Sequence, residues 1–514
     1  MSAVRVTMRH GRQAIVERVR RHAPDSLPRL MTGYRLLAGN ASAVLAGRLV
    51  AIVLGVVLAT VLFRALGAQQ YGIWSLLTLI SGYSTLIDFG MSAAIEQRVA
   101  ALTARHAVGL IPGTLTVAAL LLGVLTAVAQ VLVMVFLALP AGRQMDSGVR
   151  AALLVLPVCS GVTLVSLAVG AVLAGQQRLT ILQAWRTLGH GVGTAAVVAA
   201  AWAGHTSLAV LLILYSTGSV MTIALAWRSL RGTMRLRSGP RLDREALHDL
   251  LGFGGIIQGA TMVPPVAEYA FRLIVGGRFG WEFAAVYDLA ARAAIVLRSL
   301  AGALFTAMVP FAVQTQRDHG TAGVSALIRL TSRYVALFIL PLSAVLLAFS
   351  DQLMVRWLGE GQEPLVARVA RCFGILLLAH AGAAIAVPAS MVGRALRRPH
   401  PEAIATALAF VSAVAAAPFA PSFEVAAGLL WWGPAFGLFL AWLWLTRTLG
   451  IEFLHLRDTA VALVVAAVAL GAARALVAWG PGLMVLRLAG AMIFAVLLAL
   501  AVDVSRPRGR TQPR

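Results

Sequence analysis

The sequence has 514 residues, of which 60% are hydrophobic and 12% are charged, and its mean hydropathy is +0.85. These values lie outside the range of soluble globular proteins and predict an all-α polytopic membrane protein without a large soluble domain. The formal net charge is +23, and all 43 of its Lys+Arg residues are arginines. Because these arginines are spread over juxtamembrane connections, we interpret them as contacts to anionic membrane lipids and predict no nucleic-acid partner.

Apolar runs of at least about 18 residues are typical of membrane-spanning helices, and the sequence contains about fourteen of them. An even number places both termini on one side of the membrane. Twelve spans remain if the fifth, which carries Arg186 and His190, and the short eleventh are left out. The predicted spans are 43–65, 71–94, 112–138, 150–174, 181–203, 206–227, 250–276, 283–312, 329–349, 367–392, 402–420, 424–446, 458–478 and 482–502.

Arginines concentrate in the two terminal tails and in the even-numbered connections between spans. By the positive-inside rule, both termini are therefore predicted to be cytoplasmic. The chain divides into a basic tail, an amino-terminal lobe of spans 1–6, a basic linker, a carboxyl-terminal lobe of spans 7–12, two accessory spans and a second basic tail. The predicted boundaries of these segments are 1–42, 43–228, 229–249, 250–447, 448–502 and 503–514.

Several classes of function are disfavoured by what the sequence lacks. Without lysine there is neither a GxxxxGK[ST] phosphate-binding loop nor a Schiff-base lysine, which excludes an ATP-driven pump built from this chain alone. Cys159 and Cys372 fall inside predicted spans and the histidines are scattered, so we predict no metal site and no cofactor. The longest predicted outer connection, 350–366, is short for an active-site domain on that face, which disfavours an enzyme.

The sequence contains a candidate internal repeat, a feature common in transporters. LGAQQYGIW at 66–74 aligns with FGWEFAAVY at 279–287, which pairs Gly67 with Gly280 and Trp74 with Tyr287. One copy joins spans 1 and 2, and the other joins spans 7 and 8. This placement predicts two related halves.

Two stretches carry a resemblance to a known family. They are LGAQQYGIWSLLTLISGYSTLIDFG at 66–90 and RLIVGGRFGWEFAAVYDLAARAAIVLRSLAGALFTAMVP at 272–310. Both are similar to the oligosaccharide-lipid flippases of bacterial polysaccharide biosynthesis, within the multidrug/oligosaccharidyl-lipid/polysaccharide exporter superfamily. Many relatives place an acid just before the arginine equivalent to Arg272, whereas this chain has Phe271 there. A coupling-ion role for that acid is therefore not carried over.

The resemblance implies two six-helix inverted-V lobes around a central cavity, with two accessory carboxyl-terminal helices. It also implies a flippase of the bacterial cytoplasmic (inner) membrane that moves an undecaprenyl-pyrophosphate-linked oligosaccharide for O-antigen, capsule or exopolysaccharide synthesis. Membrane lipids, a polysaccharide polymerase and chain-length machinery are the implied partners, and coupling to H⁺ or Na⁺ is left open. The alternatives are a lipid II or multidrug exporter of the same superfamily, or a membrane enzyme of polysaccharide assembly.

Three arginines lie well inside predicted spans that line the cavity in the resembling family: Arg48, Arg272 and Arg292. A charged side chain costs about 2.5 to 3.5 kcal/mol at the centre of a membrane helix, so these arginines are expected to face protein or water. Guanidinium stays charged and binds phosphate oxygens in a bidentate manner. We therefore predict that the three arginines contact the phosphate of the substrate.

Three acids accompany the arginines. Glu268 precedes Arg272 by four residues and Asp288 precedes Arg292 by four, a spacing that favours ion pairs on one helical face. Asp88 lies late in span 2, where it could pair with an arginine, bind a coupling cation or cap the following turn. The sequence leaves these roles open.

Overall fold

The computed structural model describes residues 27–82, 91–105, 107–231, 263–306, 308–359, 363–395, 400–449, 456–478 and 484–504. Within these residues every regular element is helical. The sixteen α-helices are α1 (Leu27–Gly82), α2 (Met91–Ala104), α3 (Ile111–Ala138), α4 (Pro140–Arg143), α5 (Ser147–Gly175), α6 (Leu179–Trp202), α7 (Leu208–Leu230), α8 (Val263–Arg278), α9 (Trp281–Thr306), α10 (Met308–Ala348), α11 (Ser350–Leu358), α12 (Glu363–Ala395), α13 (His400–Ala416), α14 (Phe423–Leu449), α15 (Leu456–Ala478) and α16 (Met484–Val504).

Eight helical stretches among the described residues are long and apolar enough to cross a membrane, which confirms a multi-pass, all-α membrane protein. They are Leu49–Leu79, Val108–Ala138, Ser147–Gly175, Leu208–Leu230, His319–Ala348, Pro364–Pro388, Asp458–Ala478 and Met484–Val502. The count of fourteen spans stays a prediction. The connection predicted at 350–366 is different in the structure, because its first half forms α11, which buries Met354 and Leu358.

The paired glycines of the repeat both occupy breaks between helices. Gly67 interrupts α1 with φ 74° and ψ 170°, and Gly280 separates α8 from α9 with φ 106°. Side chains with a Cβ rarely adopt this left-handed backbone, which explains glycine at both positions. Each break lets the chain leave one long helix and start another, so α1 comprises two segments, 27–66 and 68–82.

The largest buried cluster joins helices of both halves of the chain. It runs from α1 through α9 to α12 and α14, and includes Leu62, Trp74, Leu289 and Leu376. Helices α5, α6 and α7 pack together and against α1, while α15 and α16 pack on α10. Alanines at the α9 surface allow close approach of its neighbours, as small residues do between membrane helices.

Candidate functional site

Asp288 is the centre of a charged network where α8, α9 and the second segment of α1 meet. It lies eight residues after Gly280, about 12 Å along α9, and its side chain is 1% exposed. One carboxylate oxygen, Oδ1, accepts a hydrogen bond from Arg272 Nη1 at 2.7 Å. The other, Oδ2, accepts from Arg292 Nε at 2.7 Å and from Tyr71 Oη at 2.6 Å. Three hydrogen bonds, two of them from arginines, offset the free-energy cost of burying this carboxylate.

Arg272 is held on several sides. Its Nη2 donates to Glu268 Oε1 at 3.1 Å, which is the predicted pair on α8, and its guanidinium lies 5.4 Å from the ring centre of Tyr287. The Arg272 side chain is 5% exposed. With two carboxylates and an aromatic face around it, this arginine is already neutralised and is largely shielded from any cavity.

Contacts across the two halves surround this network. Besides the hydrogen bond from Tyr71 to Asp288, Arg272 Nη1 donates to the backbone carbonyl of Ser75 at 3.3 Å. Gly72 faces the backbone carbonyl of Trp281 so closely that a Cβ at position 72 would collide with that oxygen. The second segment of α1 and the start of α9 are therefore in direct backbone contact.

Helix α11 adds a second contact between the halves. Arg64 Nη2 donates to the backbone carbonyl of Trp357 at 3.0 Å, and Trp357 Nε1 donates to Thr60 Oγ1. Gly359, with φ 98°, ends α11 beside the Arg64 guanidinium. These contacts lie near the breaks at Gly67 and Gly280, so the halves are closed against each other at that end.

Arg292 differs from Arg272 in its exposure. Its side chain is 34% exposed, and only its Nε is held, by Asp288. Nη1 lies 3.6 Å from where a Cβ of Gly55 would be, so the guanidinium reaches from α9 across to the first segment of α1. Among the described residues, neither terminal nitrogen of Arg292 has a hydrogen-bond partner. They remain available to a ligand.

Arg292 lines a cavity of about 120 Å³ between α1, α6, α7 and α9, beside Gly55. Its polar lining comes from Tyr71, Thr78, Thr194, Tyr215, His190 and Arg292. Trp74 and several small or aliphatic side chains form the rest of the wall. Within the described part of the chain, no carboxylate lines the cavity, because Asp288 stands behind the arginine.

The structure brings four of the six predicted site residues together and does not describe the side chains of the other two. The two i,i+4 pairs, Glu268–Arg272 and Asp288–Arg292, both form, and the bond from Arg272 to Asp288 joins them into one network. Arg48 lies in α1, but its side chain is outside the described part of the structure, and Asp88 lies outside the described residues altogether. Their roles stay predictions, as does phosphate binding by any of the arginines.

Sequence reasoning missed several residues of this region. Tyr71 lies within the quoted repeat stretch, yet nothing in the sequence pairs it with an acid 217 positions later. From the sequence alone, Trp357 falls in an outer connection. In the sequence, His190 is only a polar residue of the fifth predicted span. In the structure it lines the cavity, and its ring centre lies 6.4 Å from that of Tyr215 on the next helix.

Comparisons with known proteins bear on this arrangement. A family model described as "Polysaccharide biosynthesis protein" matches residues 61–367, more than half of the chain. No curated protein sequence gives a significant match. Among solved structures, the lipid II flippase MurJ in an inward closed conformation is similar with a TM-score of 0.69 at 10% identity, covering 90% of this chain and 99% of that one.

Two structures of a multidrug resistance MATE family transporter of the MOP superfamily are similar as well. The inward-facing conformation has a TM-score of 0.63 at 12% identity and covers 77% of this chain and 94% of that one. The outward-facing conformation has a TM-score of 0.56 at 12% identity and covers 80% and 95%. At these identities the likeness establishes the fold, which is that of all-helical MurJ and MATE transporters.

Proposed function

The chain belongs to the family of polysaccharide biosynthesis proteins, and from that premise we propose that it is a flippase for a lipid-linked oligosaccharide. Its cargo would be an undecaprenyl-pyrophosphate-linked oligosaccharide, carried from the cytoplasmic to the outer leaflet of the bacterial inner membrane. The transporter fold supports transport over an enzymatic role. The product would serve O-antigen, capsule or exopolysaccharide synthesis, in which a polymerase and chain-length machinery act next.

The observation that carries this proposal is the exposure of Arg292 at a polar cavity inside a membrane protein. Its Nε is fixed by Asp288 and its two terminal nitrogens are free of protein partners among the described residues. A guanidinium anchored at one nitrogen and open at the others suits a phosphate oxygen pair. In this proposal Arg292 contacts the phosphate, whereas Arg272 stabilises the contact between the two halves.

The contacts between the halves support transport by alternating access. With both termini in the cytoplasm, as the arginine distribution favours, the breaks at Gly67 and Gly280 face the outer side. The Tyr71–Asp288 and Arg64–Trp357 bonds then close the outer side, and they must break for cargo to leave. The lipid tail stays in the bilayer while the head group crosses, driven by an H⁺ or Na⁺ gradient or by removal of the product.

The test is the leaflet distribution of the lipid-linked oligosaccharide in a deletion strain of the source bacterium. A membrane-impermeant glycan probe reports the outer leaflet, and the strain is complemented with the unsubstituted protein, Arg292→Lys, Arg48→Ala or Arg356→Gln. Arg292→Lys keeps the charge but loses bidentate geometry. Arg356 is exposed on α11 and serves as the control.

We expect glycolipid trapped on the cytoplasmic side in the deletion strain and with Arg292→Lys, and normal export with Arg356→Gln at equal protein levels. Trapping with Arg48→Ala would add that arginine to the path. Outer-leaflet glycolipid that is never polymerised in the deletion strain would contradict the proposal and favour an enzyme of assembly. Trapped lipid II would instead identify a peptidoglycan-precursor flippase.

A further inference from the structure

The cavity in front of Arg292 is small compared with the proposed cargo. Its volume of about 120 Å³ is less than the roughly 150 Å³ of a protein cavity that admits benzene, a molecule of six heavy atoms. A phosphate group has five heavy atoms, whereas a hexose has about twelve. The cavity is therefore large enough for one phosphate group and smaller than a sugar ring requires.

The polar lining comes from both halves of the chain. Arg292 approaches from α9, which belongs to the second half of the chain, and His190 approaches from α6, which belongs to the first. The His190 side chain is exposed, and among the described residues its ring nitrogens have no hydrogen-bond partner. Its ring is held by an edge-to-face contact with Tyr215, whose ring contacts Trp74 in the same way. The imidazole is therefore in contact with an aromatic ring, and its nitrogens can donate to a ligand.

We propose that this cavity is a compartment for a single phosphate group, which Arg292 contacts from one half of the protein and His190 from the other, while the sugars stay outside. The inference rests on the proposed function for the identity of the cargo. Tyr71, Thr78, Thr194 and Tyr215 contribute the other polar side chains of the wall. Because the two contacts come from different halves, a bound phosphate links the halves on the cavity side.

The test is binding of defined anions to the purified full-length protein in nanodiscs, followed by calorimetry. Inorganic pyrophosphate serves as the free anion, farnesyl pyrophosphate as the lipid-borne one, and methyl glucoside as a neutral sugar. His190→Phe keeps the aromatic contact with Tyr215 but removes both ring nitrogens. His205→Phe, in the exposed turn between α6 and α7, is the matched control. Gly55→Leu fills the cavity beside Arg292.

We expect both pyrophosphates to bind and methyl glucoside not to compete with them. His190→Phe should weaken both by about threefold to tenfold, the size of one lost hydrogen bond, while His205→Phe leaves Kd unchanged. Gly55→Leu should abolish binding of both. Weakening of farnesyl pyrophosphate alone would assign the compartment to a lipid head group.

An unchanged Kd for both probes with His190→Phe would overturn the inference, and so would the absence of any pyrophosphate binding by the unsubstituted protein. The leaflet assay is independent of this result. A protein that exports glycolipid yet binds pyrophosphate equally well with and without the His190 nitrogens would retain the proposed function and lose the phosphate compartment.

Discussion

Replacing Asp288 by asparagine removes the charge on which three donors converge. The change is nearly isosteric, so its effect reports electrostatics and hydrogen bonding more than packing. Arg272 is 5% exposed and has Glu268 as a second acid, while Arg292 is 34% exposed and can turn towards water. Breaking a buried ion pair by removing one partner costs about 3 to 5 kcal/mol. Arg272 keeps Glu268 as a partner and Arg292 can be solvated by water. We therefore expect Asp288→Asn to lower the free energy of unfolding by about 3 kcal/mol, at the lower end of that range.

The assay is reversible unfolding in mixed detergent micelles titrated with sodium dodecyl sulfate, with the free energy of unfolding as the readout. Asp351→Asn, in the exposed first turn of α11, is the control and should cost less than about 1 kcal/mol. Glu268→Gln should fall between the two, since Arg272 keeps Asp288. If Asp288→Asn and Asp351→Asn unfold with free energies within about 0.5 kcal/mol of each other, the network does not stabilise the fold and the reasoning fails.

Three further substitutions test the contact between the halves. Gly72→Ala should prevent the halves from closing at the Gly67 end, because its Cβ would collide with a backbone carbonyl of α9. Gly277→Ala is the control: its Cβ would meet no atom, so this variant should behave as the unsubstituted protein. Cysteine crosslinking between α1 and α9 measures closure in both variants. Tyr71→Phe should lower the free energy of unfolding by about 1.5 to 3 kcal/mol, as expected for a buried hydrogen bond to a charged group. A smaller loss in the micelle assay would argue against a stabilising bond from Tyr71 to Asp288. Arg64→Gln removes an exposed bond to the carbonyl of Trp357 and should cost less than about 1 kcal/mol in the same titration.

Much of the helical layout could be predicted from hydropathy alone. Predicted spans such as 112–138, 150–174 and 458–478 coincide with α3, α5 and α15 to within a few residues. The reason is physical: a bilayer demands long apolar helices, so length and composition suffice to find them. Glycine at 67 and 280 also marked real breaks, because a left-handed backbone selects that residue.

The site was predictable only where its contacts are local. The two i,i+4 pairs follow from helical geometry, but the bond from Tyr71 to Asp288 depends on how α1 crosses α9, and no periodicity encodes that crossing. For the same reason Arg272 and Arg292 look equivalent in sequence although one is enclosed and the other is open to a cavity. The sequence does not predict helix α11, because nine residues are too few to give the hydropathy signal of a membrane-spanning helix.

The charges of the four side chains in the Asp288 network sum to zero. Arg272 and Arg292 carry two positive charges, and Asp288 and Glu268 carry two negative ones. A membrane voltage of about 100 mV does roughly 2.3 kcal/mol of work on each elementary charge that crosses it. A rocking of the halves that carries these four groups together moves no net charge and so responds little to voltage. Under the proposed function, an inside-negative membrane potential then acts chiefly on the anionic head group of the cargo, and it favours movement of that group outwards.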